Sequence, residues 1–509
     1  MKNYIATNSK KQITFGAILS YISIAVNILA GLLYTPWMIR TIGKSDYSLF
    51  TLANSLITMF VVDFGLSAAT ARFVAVYKAE GNQKKINDFL GAVYKLYILV
   101  DIVIAIILTV IFFKINSIYV KLSSEEIYRF KVVYIIAAAN SLVIFPFVTL
   151  NGILTAYEKF IHIKFADLVY RFLVVGLMVL ALLNGFGLYA IVTVNAIASI
   201  SIVIYKLVII KRQTDIKVNF RYRDKSLLKQ IFGFSIWVTV NTLAQRLIFN
   251  ITPSILGIVA SSGAIAVFGI VITIEGYVYI FTSAINGMFM PKISRLDLES
   301  DSNEKLTDLL IKVGRFQYFL NGLIASGFFV CGKTFIKLWM GTDYMEAYYG
   351  ILLVLIPGIF FNSTQIANTL IIVRNKVKYQ AVIGVIVGIV NVAVSFVLSR
   401  FYGVIGASVS IFIAYSIRVV LYLILDKKVL NLQMNRFFKN CYLKMMPPVI
   451  FVCVAGGIFN LFVSKTSWLI FISEGIAVCL LYVVSSAFIS MSKEERKMAI
   501  SFVKSVIKK

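Results

Sequence analysis

Eleven ionisable side chains interrupt the long apolar runs of this chain. Arg72, Lys95, Arg171, Arg246, Arg315 and Arg418 are basic; Asp63, Asp101, Asp167, Glu275 and Glu474 are acidic. Charge is costly in hydrocarbon, so such residues face a cavity or a partner. A guanidinium offers a forked pair of donors that matches phosphate. Arginines gathered around one cavity would bind an anionic ligand, and a carboxylate there would bind a proton or a sodium ion. Arg246 and Glu275 lie near the middles of successive runs. They read either as a ligand hook or as two charges neutralising each other, and both hold if the pair breaks on ligand binding. Asp63 and Arg72 bracket a small-residue stretch, DFGLSAATAR, suited to close helix packing. They are two and a half helical turns apart and do not share a face. Asp167 and Arg171, at i,i+4, predict a local ion pair. Arg72, Arg171 and Arg418 fall in the inward halves of their runs and would make an inner mouth positive, with Arg315 a further cation of the cavity. Arg40 and Asp46 border a short outer turn and suggest an outer gate pair. Lys95 is placed to snorkel, and Glu474 reads as interfacial.

Other chemistries find little support. His162 is the single histidine, so no His-based metal cluster or Ser-His triad can be assembled. It is expected in an exposed cytoplasmic loop. A Walker-type phosphate loop is not expected, which argues against a built-in ATPase. Cys331, Cys441, Cys453 and Cys479 read as packed small hydrophobes. No cofactor is expected beyond coupling to H+ or Na+, with Asp63 or Glu275 as the acid.

The elements that carry these residues must be membrane helices. The chain has 509 residues, 60% of them hydrophobic and 14% charged, with a mean hydropathy of +0.88. About fourteen apolar runs are long enough to span: 13–35, 47–71, 91–113, 130–151, 165–184, 187–210, 231–257, 265–290, 312–332, 347–371, 379–398, 404–425, 445–463 and 469–490. Lipid offers no partner to a bare backbone amide, so the spans are helical. The first run leads straight into the second, so it reads as a helix and not as a cleaved signal. A net charge of +27 would suggest nucleic acid in a soluble protein; here it marks cytoplasmic loops. With the N-terminus inside, 34 of the 50 basic residues fall in or beside inner segments and 10 in outer loops. Both termini are therefore expected in the cytoplasm, and no nucleic-acid partner is expected.

The runs repeat. Thr35-Pro36 recurs as Thr252-Pro253 and Phe15-Gly16 as Phe232-Gly233, both 217 residues on. Pro146 and Asn151 are matched by Pro357 and Asn362, and Phe186-Gly187 by Tyr402-Gly403. This predicts an all-α membrane protein of two parallel six-helix lobes, 1–210 and 231–425, joined by a basic linker, 211–230. Residues 426–509 add two helices and a basic tail. Two related lobes usually enclose a cavity opening alternately to either side. Pro36 and Pro253 permit bends that could gate it.

The arrangement of spans, the stretch LLYTPWMIRTIGKSDYSLFTLANSL (Leu32–Leu56) and DFGLSAATARFV (Asp63–Val74) resemble the Wzx-type polysaccharide flippases. These belong to the multidrug/oligosaccharidyl-lipid/polysaccharide exporter superfamily. The resemblance implies a multi-pass protein of the bacterial cytoplasmic membrane, not an enzyme. It would move an undecaprenyl-pyrophosphate-linked oligosaccharide between leaflets, for capsule, O-antigen or another surface glycan. Polysaccharide polymerase and chain-length machinery are the implied partners. Tyr34, Trp37, Tyr47 and Trp237 are candidates for stacking on sugars, or for interfacial anchoring. A lipid II flippase or a multidrug/cation antiporter of the same fold is the alternative. The expected antiporter acid in helix 1 is missing here, and so are the arginines expected there in a lipid II flippase.

Overall fold

A computed structural model describes residues 2–222, 225–283, 289–461, 467–497 and 501, with side chains described outside 2–21, 225–235 and 291. All regular structure among the described residues is helical. In chain order the helices are α1 (Lys2–Ile42), α2 (Lys44–Phe60), α3 (Leu66–Ala79), α4 (Gln83–Ile118), α5 (Ser124–Ile144), α6 (Thr149–Ala156), α7 (Phe160–Leu183), α8 (Leu188–Gln213), α9 (Lys225–Phe249) and α10 (Thr252–Val259). There follow α11 (Ser262–Ser283), α12 (Met290–Leu296), α13 (Ser302–Trp339), α14 (Glu346–Ser363), α15 (Gln365–Val373), α16 (Val377–Lys428), α17 (Met434–Phe437), α18 (Lys444–Asn460) and α19 (Trp468–Ser485).

Eleven helical stretches among the described residues are long and apolar enough to cross a membrane. A twelfth span results if α9 and α10, bent by 41° where they meet, cross together. Two expected spans take other forms. The run at 47–71 is broken into α2 and α3, with Phe64 and Gly65 at positive φ between them. The runs at 379–398 and 404–425 merge into the 52-residue α16, but Gly403 there is non-helical (φ 51°, ψ −124°). The repeated prolines also differ. Pro36 sits inside a continuous α1, whereas Pro253 opens α10 just after a break, where its missing N–H costs no helical bond.

The chain forms two compact units, residues 1–269 and 270–509. Within the first, α3 packs on α6, α1 on α7, α7 on α8 and α2 on α5. The small-residue stretch works as expected: Ala69 and Thr70 are fully buried, Thr70 meets Thr149 at 3.0 Å, and Gly152 lies against the backbone of Ser67. The basic stretch after α8 is a docked strap. Asn219 donates its N–H to Asn87 (3.0 Å) and its Nδ2 to Asp88 (2.6 Å), and Lys217 N–H donates to Asn87 Oδ1 (2.9 Å). Lys95 Nζ reaches Tyr222 O at 2.8 Å. The strap lies directly over Gly91, whose missing side chain makes room for the Asn219 carbonyl.

Within the second unit, α14 packs on α13 and α16, and α13 on α18 and α19. Glu474 is buried, because the 474, 478, 482, 485 face of α19 turns inward. The acidic segment 291–311 lies in α12, the turn after it and the start of α13, and Asp297 pairs with Arg374 at 2.7 Å. Gly327–Thr334 (GFFVCGKT) does spell the phosphate-loop pattern. It lies inside the unbroken α13, where backbone N–H groups are committed to the helix and cannot cradle a phosphate. Large apolar side chains such as Leu33, Phe113, Leu469 and Phe488 are exposed, while Asn391, Ser395, Ser399, Ser408 and Ser410 are buried. That inversion suits a lipid exterior.

Candidate functional site

In the second unit a pocket is lined by Glu275 and Tyr279 of α11, Asn321 of α13, Gly358 and Asn362 of α14, and Tyr415 of α16. Asn362 Nδ2 donates to Asn321 Oδ1 (2.9 Å), and Asn321 Nδ2 donates to Gln317 O (2.8 Å). These bonds fix both amides and leave the Glu275 carboxylate among oriented dipoles. Arg418 is only 4% exposed. Its guanidinium carbon sits 4.0 Å from the ring centroid of Phe361 and 5.4 Å from those of Tyr415 and Tyr422. Residues 415, 418 and 422 share one helix face, so α16 supplies two walls of this cage and α14 the third. Aromatic faces stabilise a desolvated cation by about 2 kcal/mol. Tyr415, one wall of this cage, also lines the Glu275 pocket, so the caged cation and the carboxylate share a wall within one unit.

Apart from Arg315, the first unit holds the remaining predicted cations. Arg246 lies in the last turn of α9, and its Nη1 is buried without a hydrogen-bond partner. Arg171 donates Nη2 to the Asn27 carbonyl of α1 (3.2 Å), and its Nε is buried and unbonded. The expected Asp167–Arg171 pair does not form; Asp167 faces Lys164 at 3.5 Å. Arg72 is exposed, its guanidinium 6.0 Å from the Phe73 ring. Arg40 is exposed at the end of α1. Asp46 is buried and pairs with Arg129 of α5, not with Arg40. The packing of α2 on α5 presents Arg129 to it, which linear spacing could not reveal.

Asp63 caps α3. Its Oδ2 accepts from Ser67 N–H (3.2 Å), and its Oδ1 accepts a short bond from the Tyr97 hydroxyl. His162 sits in the first turn of α7, half-buried, with Nδ1 2.9 Å from the Tyr205 hydroxyl; it is not an exposed loop residue. Tyr34 places its hydroxyl 2.7 Å from Met178 Sδ, and Tyr47 is buried.

Arg315 is wholly engaged by protein. It grips Glu495 through Nε and Nη2, each at 2.7 Å, and donates to the Asn440 and Ser490 carbonyls at 2.6 Å. Both carbonyls belong to π-helical turns, Phe438–Leu443 and Ser486–Ser490, where the regular i,i+4 pattern is interrupted. This geometry gives Arg315 a structural role. Sequence reading missed the cage residues Phe361, Tyr415 and Tyr422, the Asn321 partner and Arg129. Only Asn362 carried a signal, through its repeat match to Asn151, which accepts from Lys206 Nζ at 2.9 Å.

Residues 13–297 match the family described as "Polysaccharide biosynthesis protein". A curated relative from Shigella flexneri, "Putative O-antigen transporter", is 22% identical over 395 residues, covering 76% of this chain and 90% of that one. The fold is similar to that of the lipid II flippase MurJ in its inward closed conformation, with a TM-score of 0.69, 17% identity, and coverage of 92% of this chain and 98% of that one. It is also similar to an inward-facing multidrug resistance MATE family transporter, with a TM-score of 0.67, 11% identity, and coverage of 83% and 99%. The match over more than half of its length therefore places this chain, with its helical membrane fold, in the polysaccharide biosynthesis protein family.

Proposed function

We propose that the chain carries an undecaprenyl-pyrophosphate-linked oligosaccharide from the inner to the outer leaflet of a bacterial cytoplasmic membrane, by alternating access. Sugar and pyrophosphate cannot cross hydrocarbon unaided, whereas the lipid tail can remain in it. The observation that carries the reading is Arg246: a cation in an apolar helix with Nη1 buried and no protein acceptor. A pyrophosphate oxygen is the kind of acceptor such a donor lacks. Arg171 and the caged Arg418 extend the positive set. Arg315 is left out because its donors are spent. The O-antigen assignment of the Shigella relative supports a surface-glycan repeat unit as the cargo.

Fourteen spans and two cytoplasmic termini belong to this proposal. Gly403 divides the longest helix, and α2 with α3 makes one broken span. The lobes 1–210 and 231–425 would be the moving halves. Coupling to H+ or Na+ falls to Glu275 in preference to Asp63, which already serves as a cap. A polymerase and chain-length machinery would take the cargo on the outer face.

Arg246→Ala tests the reading. The variant should reach the membrane in normal amount, lose most surface glycan and accumulate lipid-linked oligosaccharide on the inner side. Full export by this variant would overturn the assignment.

A further inference from the structure

Asp426, in the last turn of α16, is fully buried, and neither carboxyl oxygen has a hydrogen-bond partner. It continues the inward-facing stripe of Arg418 and Tyr422, at about 12 Å from Arg418 along the helix. The cations of the adjoining segments are bonded elsewhere or exposed. Arg374, after α15, bonds Asp297, Asn303 and the Leu430 carbonyl. Arg436 of α17 pairs with Asp308 and Glu304. Lys427 and Lys428 are exposed. From the neighbouring π-helical turn, Tyr442 is the ionisable group that faces it, and its hydroxyl donates to the Phe360 carbonyl at 2.7 Å. On α14, the acid Glu346 lies in the first turn, while α15 carries no charged residue. The Asp426 backbone carbonyl accepts from Leu432 N–H (3.0 Å), and the helix C-terminus adds its own partial negative charge.

An ionised carboxylate cannot persist in such a place without donors or a cation. We infer that Asp426 is a proton-binding site: a neutral carboxylic acid in this conformation, which gives its proton to water only when the inner end of α16 opens. In that step the O–H bond breaks, the proton passes to bulk water and the carboxylate becomes hydrated; closing reverses it. One proton would thus be tied to one opening event. The functional consequence rests on the transport reading, but the chemistry can be tested without any glycan.

The test uses the purified full-length protein with carbonyl-labelled aspartate. Infrared spectra at neutral pH should show a protonated-carboxyl band that Asp426→Asn removes. A wild-type spectrum without that band would overturn the inference, and this measurement needs no variant to fold. The second arm uses Cys441, which is fully buried in the adjacent π-helical turn, with Cys331, Cys453 and Cys479 replaced by alanine. Its modification rate with Asp426 present, divided by the rate in Asp426→Asn, cancels the thiol's own titration. That ratio should rise with pH, by up to tenfold per unit for a one-proton equilibrium. A pH-independent ratio would refute the link between proton and opening. Failure of export in a cell assay with both results intact would instead count against the cargo assignment.

Discussion

Replacing Arg315 by alanine should loosen the first half of α13, the start of α18 and the segment after α19 together. The side chain makes four hydrogen bonds of 2.6–2.7 Å, two to Glu495 and two to backbone carbonyls. Removing one partner of a buried, hydrogen-bonded pair costs about 3–5 kcal/mol. The Glu495 side chain is 25% exposed and can rehydrate, so the lower end, about 3 kcal/mol, applies. Arg315→Lys keeps the charge but loses the fork, and should fall between wild type and alanine. Glu495→Gln keeps one acceptor and should cost about 1–2 kcal/mol. The pH dependence gives an independent check. Burial alone would raise the Glu495 carboxyl; the Arg315 guanidinium and the Ser492 N–H outweigh it and hold the group below the usual range. A depressed folded value means the stabilisation is complete above the unfolded value of about 4.3 and is lost as pH falls through the folded one. Wild type should therefore lose thermal stability below about pH 4.3 more steeply than Glu495→Gln. Detergent-purified variants read by thermal melts and by protease cleavage after residue 490 would measure this. An Arg315→Ala variant within about 0.5 kcal/mol of wild type, with no change in its acid limb, would refute the reasoning.

Gly91→Val should expel the 214–222 strap, because any Cβ there meets the Asn219 backbone; faster proteolysis within the strap would show it, and an unchanged digestion pattern would sink the idea. Phe361→Leu removes the closest wall of the Arg418 cage and should destabilise by about 1–2 kcal/mol beyond the lost packing; Arg418→Met in the same background should abolish that excess, as a double-mutant cycle would reveal. Glu275→Gln leaves the pocket's shape intact and should uncouple export from the ion gradient in vesicles; export that still collapses with the gradient would exclude Glu275 as the coupling acid.

Much of this architecture can be read from one chain. Apolar runs and the asymmetry of Lys and Arg define helices and propose an orientation, because hydrocarbon thickness and charge cost act on composition alone. The Phe186-Gly187 and Tyr402-Gly403 matches mark equivalent turns, since Gly187 precedes α8 and Gly403 breaks α16, whereas the repeated prolines do not, Pro36 lying inside α1 and Pro253 at the start of α10. Less legible was local continuity. Asp63 lies in a run apolar enough to pass for one helix, yet Phe64 and Gly65 break it and make the carboxylate a cap. Hydropathy averages over such a break.

The sequence by itself determined where charge interrupts apolar helix, and hence which residues need an explanation. Only the tertiary structure decided what each one meets. Asp46 turned to Arg129, Asp167 to Lys164, Arg315 to Glu495 and two freed carbonyls, and Arg418 to three aromatic rings. Spacing fixes a residue's height and face on its own helix. A partner within a few ångströms depends on which helices lie side by side, and that is settled by packing across distant parts of the chain.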